Sequence, residues 1–219
     1  MITLSQILHF TSGRKALSKL HMKNIFIVWL LCILALVLLF AWMGDSVLPQ
    51  VKHTDTGNAL ITADFTLQDG TGKTVTAKDF KGKYMLVYFG YTHCPDVCPT
   101  TLLLISNALT QMGADANKIQ PIFITVDPAR DDAKTTALYA SHFSKDWIGL
   151  SGTNDQIKHA ADGFKVYYSN VEQKNSAIGY VVDHSGFIYL MGPDGKYIDH
   201  FAGTDSEQEL AEGLAHDIR

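Results

Sequence analysis

Met85-Leu86-Val87-Tyr88-Phe89-Gly90-Tyr91-Thr92-His93-Cys94-Pro95-Asp96-Val97-Cys98-Pro99 is the stretch on which the reading of this chain turns. Met85 to Phe89 is an apolar run of strand length, as expected of a buried strand. Gly90 breaks it. Two cysteines follow with three residues between them, and Pro99 stands where the first turn of a helix tolerates proline. Two thiols are thus expected between a strand end and a helix start, where helix amides favour negative sulfur. Such a pair forms a disulfide staple, a redox couple or part of a soft-metal site. The rest of the chain has to discriminate among these.

Downstream, Leu102, Ile105, Leu109 and Met112 recur at helical spacing, and Gly113 is a stop signal. Ile119 to Val126 reads as a second buried strand, followed by a turn at Asp127-Pro128-Ala129-Arg130-Asp131 and a helix from Asp132 to Phe143. Trp147 to Ser151 reads as a strand, and Thr153-Asn154-Asp155-Gln156 as a capping box opening a helix to Phe164. Ala177–Val182 and Phe187–Met191 are predicted to form a hairpin around Asp183-His184-Ser185-Gly186. Lys196 to Phe201 continues as a strand after the Pro193-Asp194-Gly195 turn, and Ser206 with Glu209 caps a last helix to Ile218. Upstream, Ala63–Leu67 and Lys73–Thr76 flank a turn, and Ala77–Phe80 is one helical turn. This order is that of an α/β sandwich with a mixed central sheet, the layout of a thioredoxin-like domain.

The N-terminal part has a different character. Ile25 to Met43 carries no charge; at 1.5 Å per residue it spans about 28 Å, close to the hydrocarbon thickness of a bilayer. Trp29 and Trp42 lie near its ends, where interfacial aromatics belong. Arg14, Lys15, Lys19 and Lys23 precede it, and no acidic residue occurs before Asp45. The positive-inside rule places the N-terminus in the cytoplasm and the C-terminal domain across the membrane. A cleaved signal peptide fits less well, because Ala41-Trp42-Met43 is not a small-x-small site. The expected organisation is a basic segment at 1–24, a transmembrane helix at 25–43, a linker at 44–60 and the α/β domain at 61–219, with Met22 an alternative start. The expected location is a bacterial inner membrane with the domain in the periplasm, or alternatively the mitochondrial inner membrane facing the intermembrane space. Beyond residue 43 the chain has 14 basic and 22 acidic residues, a net of −8, which argues against a nucleic-acid partner.

Cys32 lies within the apolar span, so Cys94 and Cys98 are the only pair left for the domain. On one helical turn, residues i and i+4 bring Cβ atoms to about 5–6 Å, near disulfide range. So short a loop removes little chain entropy, which weakens the staple reading. A thioredoxin couple has two intervening residues rather than three, and no proline lies between Val166 and Gly192 to supply the usual proline loop. That approach holds Asp183-His184-Ser185 instead. Two thiolates plus an imidazole suit Cu(I), and the imidazole helps to accommodate Cu(II). His93 is a rival ligand, disfavoured because neighbours on an extended segment point to opposite sides. Asp127 reads as a turn former, with docking of a partner or support of the metal ligands as the alternative. Asp183 is placed either to orient His184 or to face away.

Tyr88 through Pro99, Val126-Asp127-Pro128-x-Arg130-Asp131 and Val182-Asp183-His184-Ser185 together closely resemble the SCO/SenC family of membrane-anchored copper-binding proteins of cytochrome c oxidase assembly. The resemblance covers residues 60 to 203. In that family the two motif cysteines and the histidine of the Asp-His-Ser motif bind one copper, which implies Cys94, Cys98 and His184 as ligands. It further implies a metallochaperone rather than a catalyst, acting on the CuA site of oxidase subunit II, with another periplasmic copper donor as a further partner. The alternative is a thiol–disulfide oxidoreductase that uses Cys94 and Cys98 to keep the CuA cysteines reduced.

Overall fold

Three stretches are described by the computed structural model, residues 29–36, 61–173 and 179–218. The chain divides into two units, Met1–Gly57 and Asn58–Arg219. In the first, residues 29–36 are helical (α1) with every side chain exposed. The remainder of the expected 25–43 span, the 1–24 segment and the 44–60 linker lie outside the described residues. Among the described residues, no helix is long and apolar enough to cross a membrane.

The second unit is built on β3 (Tyr84–Gly90), which is fully buried after its first residue. It pairs in parallel with β4 (Ile119–Thr125) on one side and antiparallel with β8 (Phe187–Met191) on the other. The five-stranded sheet runs β5-β4-β3-β8-β9, with β5 at Ile148–Leu150 and β9 at Tyr197–Ala202. Both faces of the central strands are covered, which explains their near-continuous apolar sequence. Successive side chains on β3 leave opposite faces. Tyr88 meets Phe123 of β4 on the face that carries Cys98 and His184. Phe89 packs on Phe164 of α4 (Asn154–Phe164) and on Tyr189. The topology is the expected thioredoxin-like sandwich with a mixed sheet.

Around the sheet, α2 (Val97–Met112) packs against α5 (Glu207–Asp217), and α3 (Ala133–Ser141) lies over β5. The capping boxes expected at Thr153 and Ser206 are formed. Gly113 ends α2 at φ 59°, in the left-handed region that glycine enters without strain. A short antiparallel pair, β1 (Thr66–Gln68) with β2 (Thr74–Thr76), and a 3-10 turn at Ala77–Phe80 precede β3.

Two sequence expectations are corrected. The helix begins at Val97, two residues before Pro99, so Cys98 lies inside its first turn while Cys94 precedes it. The two cysteines therefore do not share a helical face. Second, β7 (Tyr180–His184) does not form a hairpin with β8. Both edges of β8 are already engaged, by β3 and β9, so β7 has no free edge of β8 to join. It pairs antiparallel with β6 (Tyr168–Glu172) in a separate two-stranded ribbon that places Tyr168 opposite His184. The sequence reading missed β6 because Tyr-Ser-Asn-Val-Glu has no buried face: none of its residues is buried.

Candidate metal centre

The site forms where β3 ends. Val126 N donates to the Gly90 carbonyl at 2.7 Å, and Cys94 N donates to the Tyr91 carbonyl at 3.3 Å, turning the chain back toward α2. Cys94 and Cys98 are buried free thiols. Gly90 is required by close approach: a Cβ there would lie 2.8 Å from Cys98 Sγ, 3.0 Å from Phe123 and 3.3 Å from Tyr88.

The start of α2 is capped in an unusual way. Asp96, at the N-cap position, makes no side-chain cap. Cys94 Sγ accepts the Cys98 amide at 3.4 Å instead, so a sulfur stands where a cap oxygen would ordinarily accept from the second helical residue. This favours negative charge on Cys94. The Cys98 thiol beside it, outweighing burial and aided by His184 and by the Asp96 and Cys98 amides, brings the Cys94 thiol down to about 3. Cys98 goes the opposite way: the neighbouring Cys94 sulfur, then burial, push its thiol well above the ordinary range. The two thiols are thus pushed in opposite directions, Cys94 toward thiolate and Cys98 toward thiol.

His184 comes from the far end of β7. Its Nε2 lies 3.3 Å from Cys98 Sγ and its Nδ1 lies 3.1 Å from the Ser185 carbonyl. A carbonyl only accepts, so Nδ1 donates to it, and Nε2 is the ring nitrogen that faces the sulfurs. Tyr88 and Tyr91 meet the ring edge-on, with centroids at 6.2 and 6.0 Å. Ligand atoms of Cys94, Cys98 and His184 all lie within 4.8 Å of one another. Two sulfurs and one nitrogen, with no carboxylate in the group, form a soft donor set that fits copper.

His93, the rival ligand, points away. Its Nδ1 approaches Thr92 Oγ1 at 3.1 Å and Asp131 Oδ1 at 3.4 Å, and it is not part of the three-ligand group. Asp183 is exposed; the Ser185 carbonyl, not Asp183, orients His184. Asp127 does form the expected turn, accepting the Arg130 and Asp131 amides at its carbonyl. Its side chain is also buried and bound by Arg130 and Tyr180, a contact that the turn signal alone did not reveal. Tyr91, within the same motif as the cysteines, packs edge-on against His184, a role that the motif spacing does not signal.

A cleft of about 390 Å³ opens onto Cys94, walled by Tyr91, Pro95, Val97, Val171, Val182 and His184. A larger one of about 560 Å³, at Lys83, Ser106 and Trp147, has no cysteine or histidine in its lining.

Known proteins resemble this chain in sequence and fold. The SCO1/SenC family model matches residues 53–219. "Protein SCO2 homolog, mitochondrial" of Danio rerio is 40% identical over 163 residues, 74% of this chain and 58% of that protein. A "SCO2-like protein" of Rickettsia felis is 41% identical over 161 residues, 72% of this chain and 77% of that protein. The chain thus spans less than two thirds of the length of the mitochondrial relative. Among solved structures, Arabidopsis thaliana ScoI with copper bound superimposes with a TM-score of 0.69 at 36% identity, over 73% of this chain and 98% of that one. Bradyrhizobium japonicum ScoI with copper bound gives 0.64 at 43%, over 72% and 99%. With the family model spanning the whole α/β domain and its cysteine loop meeting His184 at the end of β3, the chain is a member of the SCO1/SenC family.

Proposed function

We propose that the chain binds one copper ion through Cys94, Cys98 and His184 and acts as a metallochaperone for the CuA centre of cytochrome c oxidase subunit II. The observation that carries this reading is the convergence of two sulfurs and an imidazole nitrogen, from two separate segments, within 4.8 Å. The copper-bound relatives support it. An imidazole whose Nε2 faces the two sulfurs, its ring fixed through Nδ1 by the Ser185 carbonyl, needs the cysteine and Nε2 protons to leave for three ligands to be ready. Three ligands leave one side accessible, as hand-over to a target's thiolates by ligand exchange requires, unlike a closed four-ligand structural site. The 25–43 segment would anchor the domain outside the cytoplasmic or matrix face, with the inner membrane and periplasm, or the mitochondrial counterpart, as its location. A periplasmic copper donor would supply the ion.

A second reading has its own observation, the asymmetry of the two thiols. Cys94, favoured as thiolate and the less buried, would attack a partner disulfide and release one partner thiolate. Cys98 would then lose its proton and displace the second partner sulfur, leaving a Cys94–Cys98 disulfide and two reduced partner thiols. His184 is not needed for that exchange.

The deciding experiment loads the full chain with Cu(I) under reduction, in the parent and in His184→Ala, and measures bound copper by chelator competition. One copper per chain and a weakened variant are expected. A parent that retains no copper, or a variant with parental affinity, overturns the three-ligand site.

A further inference from the structure

His184 sits on a ribbon that the main sheet does not hold. The β6–β7 pair is hydrogen-bonded strand to strand and forms its own two-stranded sheet. Yet a ligand must be held to within a few tenths of an ångström to bind a metal well. The ribbon's His184 end runs into β8 and is tied by the Gly203 amide to the Gly186 carbonyl at 2.9 Å; the turn Asp127–Asp131, at the end of β4, supplies an attachment at the other end.

Tyr180 is the first residue of β7 and His184 the last, four positions apart and so on the same face of the strand, with buried Val182 between them. Arg130 grips the Tyr180 end. Its Nη1 donates to the Tyr180 carbonyl at 3.0 Å, and its guanidinium lies 3.7 Å over the Tyr180 ring. Asp127 completes the clamp: it pairs with Arg130 Nε and accepts the Tyr180 hydroxyl at 2.8 Å. The same guanidinium lies 5.7 Å from the Tyr91 ring, and Tyr91 meets the His184 ring edge-on. Tyr180, Arg130, Tyr91 and His184 thus form one continuous line of contacts.

The other end of the turn holds the cysteines. Asp131 is fully buried and accepts the Thr92 amide at 2.8 Å, the Thr92 hydroxyl at 2.6 Å and the Thr125 hydroxyl at 2.8 Å. Thr92 is two residues before Cys94. One five-residue turn therefore grips both ligand-bearing segments, each through a buried carboxylate.

We propose that the Asp127–Asp131 turn is a positioning device that sets the distance between His184 and the cysteine pair: Arg130 and Asp127 hold the histidine ribbon through Tyr180, and Asp131 holds the cysteine loop through Thr92. Neither Arg130 nor Asp131 is a ligand; each acts through the segment it holds. The proposal rests on the three-ligand reading above.

The test is a double-mutant cycle on the full chain, with Cu(I) affinity measured by competition with a colorimetric chelator. Arg130→Lys keeps the charge beside Asp127 but removes the planar fork and its stacking. Tyr180→Phe removes only the hydroxyl, and decides the matter if Arg130→Lys does not fold. Each is expected to weaken Cu(I) binding about tenfold, as loss of a group that orients a ligand does, and to have no further effect in a His184→Ala background. Thr92→Val, on the cysteine arm, is expected to weaken binding in both backgrounds. If Arg130→Lys and Tyr180→Phe retain parental affinity while His184→Ala loses it, the positioning role is overturned and the three-ligand site stands. Equal losses for Arg130→Lys and Tyr180→Phe in both backgrounds also overturn it, since these two variants are expected to act only through His184. If His184→Ala itself has parental affinity, the three-ligand reading fails, and the proposal with it.

Discussion

Replacing Gly90 by alanine probes the point at which the fold and the metal centre meet. The added methyl would sit 2.8 Å from Cys98 Sγ, about 0.6 Å short of ordinary contact, and is also too close to Phe123 and Tyr88. None of the three neighbours has solvent to move into, since all are fully buried. Cys98 lies in the first turn of α2, so its sulfur yields only if the side chain rotates or the helix start shifts. Overpacking of this kind costs about 1–3 kcal/mol, which for a domain of this size lowers Tm by about 2–12 °C. The displacement of Sγ exceeds the roughly 0.2 Å tolerance of a metal–ligand distance. Cu(I) affinity is therefore expected to fall by at least about tenfold, comparable to the loss of an orienting group. Thermal unfolding of the metal-free chain and chelator competition of the loaded chain read the two effects separately. Gly186→Ala is the control: Gly186 also lines the cleft, but its Cβ would meet nothing within 4 Å, so neither readout should move. A Gly90→Ala chain with parental Tm and parental affinity would refute the close approach on which the site geometry rests.

Three further outcomes follow from particular contacts. In the reduced, metal-free chain, Cys94 is depressed to about 3 from an ordinary thiol value of 9.0, so the stability it contributes is complete above pH 9 and is lost as pH falls through about 3. Cys98 is raised, so above about pH 9 only the unfolded chain loses that proton and the slope reverses. The urea midpoint should therefore rise from pH 4 to a maximum between about pH 8 and 9, and fall beyond it; a flat profile would contradict the assignment. Ser106 Oγ accepts the buried indole N–H of Trp147 at 2.8 Å, so Ser106→Ala should cost about 1–3 kcal/mol in denaturant unfolding while leaving Cu(I) affinity at the parental value. Thr153 closes a formed capping box on α4; Thr153→Ala should cost about 1 kcal/mol by the same measurement.

The legible parts of the fold were those with strong local signals. β3 and β4 were read within a residue of their bounds because burial on both faces demands unbroken apolar runs. The capping boxes at Thr153 and Ser206 were legible because a cap is a contact between residues three apart. β6 was not legible, since its exposed Tyr-Ser-Asn-Val-Glu carries no periodic burial to print a pattern. The hairpin assigned to β7 and β8 failed for a non-local reason: the partner edge was already occupied by β3 and β9.

The candidate centre divides in the same way. Residue types and spacing singled out Cys94 and Cys98 as a soft-donor pair and His184 as a candidate third member, and the resemblance of the three motifs to the SCO/SenC family joined them into one ligand set. Only the tertiary structure decided how they meet. It placed Cys94 ahead of α2 and Cys98 within it, so that one sulfur caps the helix and the two thiols part in acidity. It turned His93 toward Asp131 and gave the task of orienting His184 to a backbone carbonyl rather than to Asp183. It also brought Arg130 against Tyr180, fifty residues away along the chain. Such pairings are set by which strand edges remain free and which faces are covered, and a sequence records the side chains but not the vacancies into which they pack.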